Sequence, residues 1–165
     1  MKKTYICLEP GEHHPALCVV EKHFTTVGRL QAQENTTFEV KSLESLPSDI
    51  SKFDLREKVA ARMRKYIMGN IRFILGYNYI DEETRRIVES SSLKPVKITV
   101  TGENEPHRDE FMNYVPYTLM VDLQDKLRSS GALTYEMPVN ETGFIEDEDC
   151  ELALCMAIWY ASQDH

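Results

Sequence analysis

The segment "IRFILGYNYIDEETRRIVESSSLKPVKITVTG", Ile71 to Gly102, decides the fold class. Ile71 to Leu75 and Val96 to Gly102 are short apolar runs, which are typical of buried strands. Between them, "DEETRRIVESS", Asp81 to Ser91, predicts a helix, because its acidic first turn suits the positive end of a helix dipole. A strand, a helix and a second strand in this order predict a parallel strand pair joined by a crossover.

The residues before this segment predict an antiparallel meander. "TYICL", Thr4 to Leu8, and "ALCVVEK", Ala16 to Lys22, are β-prone runs separated by a turn that contains Pro and Gly, which is typical of a hairpin. A third run of β type follows at about Thr25 to Gln31. A fourth covers Phe38 to Leu46, where apolar alternation is followed by a slip.

Helical patterns lie on both sides of these strands. From Asp54, apolar residues recur at spacings of three and four, which indicates an amphipathic helix capped by Ser51 or Asp54. Later in the chain we expect a helix from Pro116 to Ser130 ended by Gly131, a strand in "ALTYEM" and a closing helix. This order predicts an α/β protein with a ribonuclease H-like fold. Its central sheet is mixed, an antiparallel meander followed by parallel strands, and helices flank it.

Length and charge limit the function. A chain of 165 residues with 42% hydrophobic residues can bury one core, so we expect a single domain over residues 1–165. The net charge is −8, from 27 acids against 19 bases. Because nonspecific nucleic-acid binding is built largely from Lys and Arg contacts to phosphates, this balance predicts weak DNA binding by the chain alone.

Several classes of protein are disfavoured by what the sequence lacks. No apolar run reaches the roughly 18 to 20 residues of a membrane span, and the first residues lack a signal-peptide core, so we expect a cytoplasmic protein without a membrane partner. The four cysteines lie in apolar stretches without CxxC spacing, which predicts buried reduced thiols. The nucleophile elbow, the phosphate loop and the dinucleotide fingerprint are missing from the sequence.

Four stretches of the sequence carry a family resemblance. They are "TYICLEPGEHHPALCVVEKHF", "FEVKSLESLPSDISKF", the run from Arg72 to Leu133, and "DEDCELALCMAIWYA". In order and approximate spacing they resemble the nuclease domain of phage terminase large subunits, a ribonuclease H-like family. The resemblance covers nearly the whole chain, although the stretch from Gly131 to Glu146 looks shortened and the ATPase half of a large terminase is absent.

The resemblance implies a divalent-metal site at the ends of the central strands. It places one carboxylate at Glu9 and another at Glu148 or Asp149, so Glu9, Glu148 and Asp149 are the candidate catalytic and metal-binding residues. Two ions about 4 Å apart can activate water and stabilise the leaving oxygen of a phosphodiester. Mg²⁺ or Mn²⁺ is the implied cofactor, because both prefer hard oxygen ligands.

The sequence departs from the family pattern at several of these positions. Gly76 stands where an acid follows the strand "RFIL", and glycine has no side chain to bind a metal. Tyr117 stands in place of a lysine in "VPYTL", and Asp147 stands in place of a histidine. Glu9 is one methylene longer than the family's aspartate, and a shift near 1 Å, roughly, can cost a metal site much of its rate.

The acidic candidates also have structural explanations. Glu9 can begin a solvated turn. Acids at the start of a helix, such as Glu148 and Asp149, are ordinary capping and dipole residues. We expect the same role for Asp81 to Glu83.

The histidines are weaker candidates. His13 and His14 lie beside Glu12, but adjacent residues of an extended strand point to opposite faces, so we do not expect them to share one ion. His107 and Arg108 lie in a polar loop, where solvated side chains are expected.

Three functions remain open from the sequence. The first is a protein of phage or prophage type with a degenerate metal site, which binds a protein partner or DNA in a packaging or DNA-processing assembly. The second is an active Mg²⁺- or Mn²⁺-dependent DNA endonuclease that uses Glu9, Glu148 and Asp149. The third is a DNA-mimicking protein, although acids mixed with bases, as in "DLREKVAARMRK", do not favour a continuous acidic stripe.

Overall fold

A computed structural model of the chain describes residues 1–24, 26–27, 30–31, 36–66, 68–89, 94–102, 113–136 and 147–164. Its strands are β1 (Lys2–Glu9), β2 (Ala16–His23), β3 (Thr26–Val27), β4 (Leu30–Gln31), β5 (Thr37–Ser45), β6 (Asn70–Gly76), β7 (Val96–Thr101), β8 (Asn113–Pro116) and β9 (Leu133–Tyr135). Its helices are α1 (Lys52–Lys65), α2 (Glu82–Glu89), α3 (Tyr117–Ser129) and α4 (Glu148–Gln163).

Seven strands form one mixed sheet in the order β8-β7-β6-β1-β2-β5-β9. β1 pairs antiparallel with β2, and β2 pairs antiparallel with β5, which gives the predicted meander. β6 is parallel to β1, and β7 is parallel to β6 after the α2 crossover. The central strands β5-β2-β1-β6-β7 have the order and directions of a ribonuclease H-like fold, so the predicted fold class is confirmed.

Helices cover both faces of the sheet. α4 packs on β1 and β2 with α3 beside it, whereas α1 and α2 pack on the opposite face. β1 is buried on both faces, because Tyr5 and Cys7 belong to the α4 layer while Ile6 and Leu8 belong to the α1 layer. α4 is buried along most of its length, from Ala153 to Ile158, as its apolar residues on nearly every face predict.

A charged cluster fixes the C-terminal end of α4 to the sheet. Oδ2 of Asp164 accepts a hydrogen bond from the Tyr5 hydroxyl at 2.8 Å, and it lies 3.7 Å from Nζ of Lys3 and 3.9 Å from Nε of Arg72. The ammonium of Lys22 donates to the backbone oxygen of Asp164. These contacts tie the end of α4 to β1, β2 and β6.

Local sequence signals explain several boundaries. Oγ of Ser51 accepts the Asp54 amide at 3.0 Å, so Ser51 is the cap of α1. The register of β2 against β5 shifts between Val19 and Val20, which accounts for the slip in the apolar alternation of β5. α3 ends before Gly131, whose φ of 80° is one that other residues rarely adopt.

Parts of the strand prediction need correction. Within the run Thr25 to Gln31, the described residues form β3 and β4, which pair with each other in a separate two-stranded sheet and do not extend the meander. The sequence does not indicate β8, because its four residues are too few to show a periodicity. His107 and Arg108 lie outside the described residues. A single domain over residues 1–165 stays a prediction.

The burial and the redox state of the cysteines agree with expectation. All four cysteines are free and buried, as predicted. Burial raises the pKa of the Cys7 thiol, and raises that of Cys155 to about 12, so both stay protonated near neutral pH. Within the described parts of the chain, no helix is long and apolar enough to cross a bilayer.

Candidate functional site

Three elements meet at one edge of the sheet. β1 ends at Glu9 and its parallel neighbour β6 ends at Gly76, so the carboxyl ends of these strands lie side by side. The turn from Pro10 to Pro15 follows β1, and the first turn of α4 hydrogen-bonds to it through Asp149. The fold therefore brings Glu9 and Asp149 into one neighbourhood.

Glu9 is a buried carboxyl group with 0% of its surface exposed. Its Oε1 accepts the Gly11 amide at 3.0 Å, whereas its Oε2 has no hydrogen-bond partner among the described residues. Burial raises the pKa of Glu9 to about 7; the Gly11 amide opposes this rise, and the charge of Asp149 adds to it. The alternative that Glu9 begins a solvated turn is therefore wrong.

Gly76 lies against the Glu9 carboxyl group. A Cβ atom at residue 76 would lie 2.1 Å from Oε2 of Glu9 and 2.9 Å from Cε of Met156. Contacts this short require the surrounding atoms to move. The acid that the resemblance implies at this place is missing, and the space it would need is filled by Glu9.

Asp149 holds the turn between β1 and β2. Its Oδ1 accepts the amide of Glu12 at 3.0 Å, and its Oδ2 accepts the amides of His13 and His14, each at 3.2 Å. The side chain is buried, with a relative exposure of 4% for the residue. Asp149 thus supplies acceptors to three consecutive backbone amides that the hairpin leaves unpaired.

Asp147 is the N-terminal cap of α4 and contacts the same turn. Its Oδ1 accepts the amides of Asp149 at 3.0 Å and Cys150 at 3.1 Å, and its Oδ2 lies 2.7 Å from Nε2 of His14. The other ring nitrogen of His14, Nδ1, lies 2.9 Å from the backbone oxygen of Pro15. Hydrogen bonding to Pro15 raises the pKa of His14, burial lowers it, and Asp147 raises it, with a net increase. Both ring nitrogens face acceptors, which favours the imidazolium form.

Two groups of side chains with the geometry to hold a metal ion occur among the described residues. His14, Asp147 and Asp149 form one, and Glu12, His13 and Glu148 form the other; within each group the ligand atoms lie within 4.8 Å of one another. His13 and His14 thus belong to different groups, and both lie in the turn between β1 and β2. Glu9 belongs to neither group, although its charge interacts with that of Asp149.

The residues present do not fit the pair of ions that the resemblance implies. Glu9, Glu148 and Asp149 do not converge as one group of ligand atoms in the described part of the chain. The atom without a partner, Oε2 of Glu9, lies against Gly76 near the Met156 methyl group, where no second carboxylate is described. A single ion fits better at His14, Asp147 and Asp149, because one imidazole nitrogen and two carboxylate oxygens are an ordinary ligand set for a transition metal.

Side chains around this edge are mostly neutral or acidic. Glu148 is exposed at the start of α4, and the half-exposed Tyr117 donates its hydroxyl to Oε1 of Glu151 at 2.8 Å. Burial and the Glu151 carboxylate raise the pKa of Tyr117. Position 117 therefore carries a neutral phenol where the resemblance implies a lysine.

A polar cleft of about 190 Å³ lies on the α1 side of the β1–β2 turn. Lys52 and Asp81 line this cleft and form an ion pair, with Nζ of Lys52 at 2.7 Å from Oδ2 of Asp81. Oδ1 of Asp81 accepts the Thr84 amide at 2.6 Å, which confirms that this acid stabilises the start of α2. Burial opposes ionisation of Asp81, but the hydrogen bonds of Lys52 and Thr84 lower its pKa to about 2.

Comparisons with known proteins find little similarity in sequence. No protein-family model matches the chain, and no curated protein matches it. Among solved structures, the chain is similar to a human cytomegalovirus terminase nuclease domain soaked with Mn²⁺. The two share 14% sequence identity with a TM-score of 0.46, over 96% of this chain and 82% of that one. At this distance the assignment of the fold rests on the strand order of the sheet itself.

Proposed function

We propose that this protein is a ribonuclease H-fold protein of phage or prophage type that does not cleave DNA. It serves a binding or accessory role in DNA packaging or processing. Its main partner is a protein of that assembly, and its own contact with DNA is weak. The phage origin and the assembly are carried over from the resemblance of the sequence to terminase nuclease domains.

The proposal rests on one observation: the carboxylate of Asp149 accepts hydrogen bonds from the backbone amides of the β1–β2 turn. A carboxylate has about four acceptor positions. The amides of Glu12, His13 and His14 take three of these positions. Since Glu9 is buried as well, the two acids at the ends of β1 and α4, Glu9 and Asp149, offer no pair of open carboxylates that could hold two ions.

The charges at the same edge support a protein partner over a phosphate backbone. Glu12 and Glu148 are exposed there, and Tyr117 is bound to Glu151 where a cation would contact phosphate. Like charges repel, so an acidic edge disfavours DNA unless cations screen it. The net charge of −8 acts in the same direction.

A second candidate function is a metal-dependent endonuclease. The convergence of His14, Asp147 and Asp149 within 4.8 Å favours it. One divalent ion bound there would activate water and stabilise negative charge on the phosphodiester. His14 would first have to release the Nε2 proton that it shares with Asp147.

The experiment that separates these functions is nicking of supercoiled plasmid in Mn²⁺ or Mg²⁺. The wild-type chain is compared with His14→Gln, which removes the imidazole of the candidate single-ion site, and with Glu148→Gln, an exposed acid outside that site; both leave the Asp149 hydrogen bonds in place. Asp125→Asn serves as the matched control, because this exposed acid lies on α3 and pairs only with Arg128 in the described structure. Circular dichroism checks that all four proteins fold.

We expect no nicking above the level of plasmid with metal alone for any of the four proteins. Metal-dependent nicking by the wild type and by Asp125→Asn that disappears in His14→Gln would overturn the proposal and establish the second function. Nicking that is lost only in Glu148→Gln would also overturn the proposal, with the ion then placed at Glu148.

A further inference from the structure

Glu9 and Gly76 are neighbours at the end of a parallel strand pair. Leu8 of β1 is in register with Leu75 of β6, so the next residue of each strand lies at the same edge of the sheet. A Cβ atom at residue 76 would lie 2.1 Å from Oε2 and 3.0 Å from Cδ of Glu9. The Glu9 carboxyl group therefore occupies the place where a side chain at residue 76 would begin.

The backbone of Gly76 does not require glycine. Among the described glycines, positive φ angles occur at Gly11 and Gly131, and Gly76 is not one of them. At such a position, Gly→Ala ordinarily stabilises a protein, because it restricts the unfolded chain. Glycine is needed at residue 76 for space alone.

Of the two side chains that fill this space, Glu9 is the one that cannot give way easily. The Met156 contact, at 2.9 Å from the same Cβ position, is made by the methyl group at the end of a flexible side chain. Glu9 is fully buried and is held at Oε1 by the Gly11 amide at 3.0 Å. Moving its carboxyl group would break that hydrogen bond inside the core.

The extra methylene of glutamate produces this overlap. A carbon–carbon bond is about 1.5 Å long, so an aspartate at residue 9 would hold its carboxyl group that much closer to β1. Oε2 would then withdraw from β6, and the volume above Gly76 would open.

We propose that the residues at positions 9 and 76 are sterically coupled, so that a large side chain at one requires a small side chain at the other; we call this relation the matched exchange. The longer acid on β1 occupies the volume of the missing side chain on β6, so a carboxylate cannot be restored at residue 76 while Glu9 is present. A divalent-cation site at this edge forms only when both positions change together. This inference rests on the proposed function in one respect, namely that the wild-type chain holds no ion at Glu9.

A divalent cation is the ligand that the paired change would admit. Neighbouring strands lie about 4.8 Å apart, so carboxylates at the ends of β1 and β6 can both reach one ion between them. Oxygen ligands at about 2.1 Å suit Mg²⁺ and Mn²⁺.

The first arm of the test measures steric coupling with a double-mutant cycle. Urea unfolding is followed for the wild type, Gly76→Ala, Glu9→Asp and the combined variant, with EDTA present. Gly102→Ala is the matched control, because no described residue has an atom within 4 Å of the Cβ position at Gly102 and its φ is not positive.

We expect Gly76→Ala to lower the folding equilibrium constant about tenfold or more in the wild-type background. In the Glu9→Asp background we expect little or no loss, as for Gly102→Ala. Gly76→Ala as stable as the wild type, or an equal loss in both backgrounds, would overturn the matched exchange.

The second arm measures Mn²⁺ binding by calorimetry for the wild type, Gly76→Asp and the Glu9→Asp, Gly76→Asp double variant. We expect the double variant to bind Mn²⁺ at least about tenfold more tightly than the other two. Equal affinity of the folded double variant and the wild type would overturn the cation site, and so would tight binding by Gly76→Asp alone.

Failure of the proposed function would look different. Wild-type protein that binds Mn²⁺, and loses that binding in Glu9→Gln, would contradict the non-catalytic proposal, while the urea cycle would still decide whether Glu9 and Gly76 are coupled. If the double variant does not fold, the cycle with Gly76→Ala alone decides the inference.

Discussion

Replacing Asp149 by Asn should destabilise the protein in the complete absence of metal. Whichever carboxylate oxygen becomes an amide nitrogen, at least one of the amides of Glu12, His13 and His14 then faces a donor instead of an acceptor. The other hydrogen bonds lose their charged acceptor. The loop that joins β1 to β2 should therefore detach from α4 more easily.

The contacts of Asp149 set the magnitude. A hydrogen bond to a charged group contributes about 1.5–3 kcal/mol, so the loss of all three such bonds would cost roughly 4.5–9 kcal/mol, which is the upper limit. The turn is partly exposed, since His13 has 66% of its side chain exposed, and water can replace some of the lost acceptor. We therefore expect Asp149→Asn to lower the free energy of unfolding by about 2–3 kcal/mol.

Urea unfolding in EDTA measures this loss, with the fluorescence of Trp159 on α4 as the signal. Glu148→Gln is the matched control, because this neighbouring acid is exposed, and its free energy of unfolding should stay within about 0.5 kcal/mol of wild type. Equal stability of Asp149→Asn and wild type in EDTA would refute the reasoning. A loss that appears only when Mn²⁺ is present would also refute it, because Asp149 would then act through an ion.

Three further changes test other parts of the structure. The pKa of Glu9 is raised from 4.5 to about 7, so between these pH values the folded state binds more protons than the unfolded state and stability falls as pH rises. In Glu9→Gln the stability should depend less on pH, and at pH 8 its free energy of unfolding, measured in urea, should exceed that of the wild type by up to about 3 kcal/mol. A steeper fall of stability with pH in this variant would contradict the raised pKa of Glu9. Asp164→Asn removes the acid from a cluster of cations and should lower the free energy of unfolding by about 1–2 kcal/mol. The exposed control Asp125→Asn should lower it by under about 0.5 kcal/mol, and equal losses in the two variants would contradict a stabilising role of the cluster. Gly131→Ala should destabilise the folded state by about 1–2 kcal/mol, because φ at this residue is 80°. A lowered thermal midpoint would show this loss, and an unchanged midpoint would contradict it.

The central sheet could be predicted because its strands differ strongly in pattern from its helices. β1 is buried on both faces and reads as a continuous apolar run, whereas α1 repeats its apolar residues at spacings of three and four. The crossover through α2 then fixes a parallel pair. These are local signals, and the order of strands follows from them with few alternatives.

The sheet edges could not be predicted in the same way. β8 contains four residues, too few to show a period, whereas β9 lies within the predicted strand "ALTYEM" but is too short to indicate which strand it pairs with. β9 pairs with β5 in parallel. No residue pattern within β9 indicates this pairing. β3 and β4 are similarly short, and their separation from the main sheet has no local signal.

The candidate site was predictable in its residues but not in their roles. Glu9 and Asp149 were identified as acids that lie at one edge, and the structure brings them together there. The sequence does not show that Asp149 accepts backbone amides, because which amides a turn leaves unpaired depends on its three-dimensional path. The compensation between Glu9 and Gly76 appears only when the register of β1 against β6 is known.

A crystal structure determined in the presence of Mn²⁺ tests the central claim most directly, since the anomalous signal locates bound manganese. The account predicts no anomalous peak between Glu9 and Asp149, with the amides of Glu12, His13 and His14 still on the Asp149 carboxylate. Two peaks about 4 Å apart, with Glu9 and Asp149 as ligands, would contradict it.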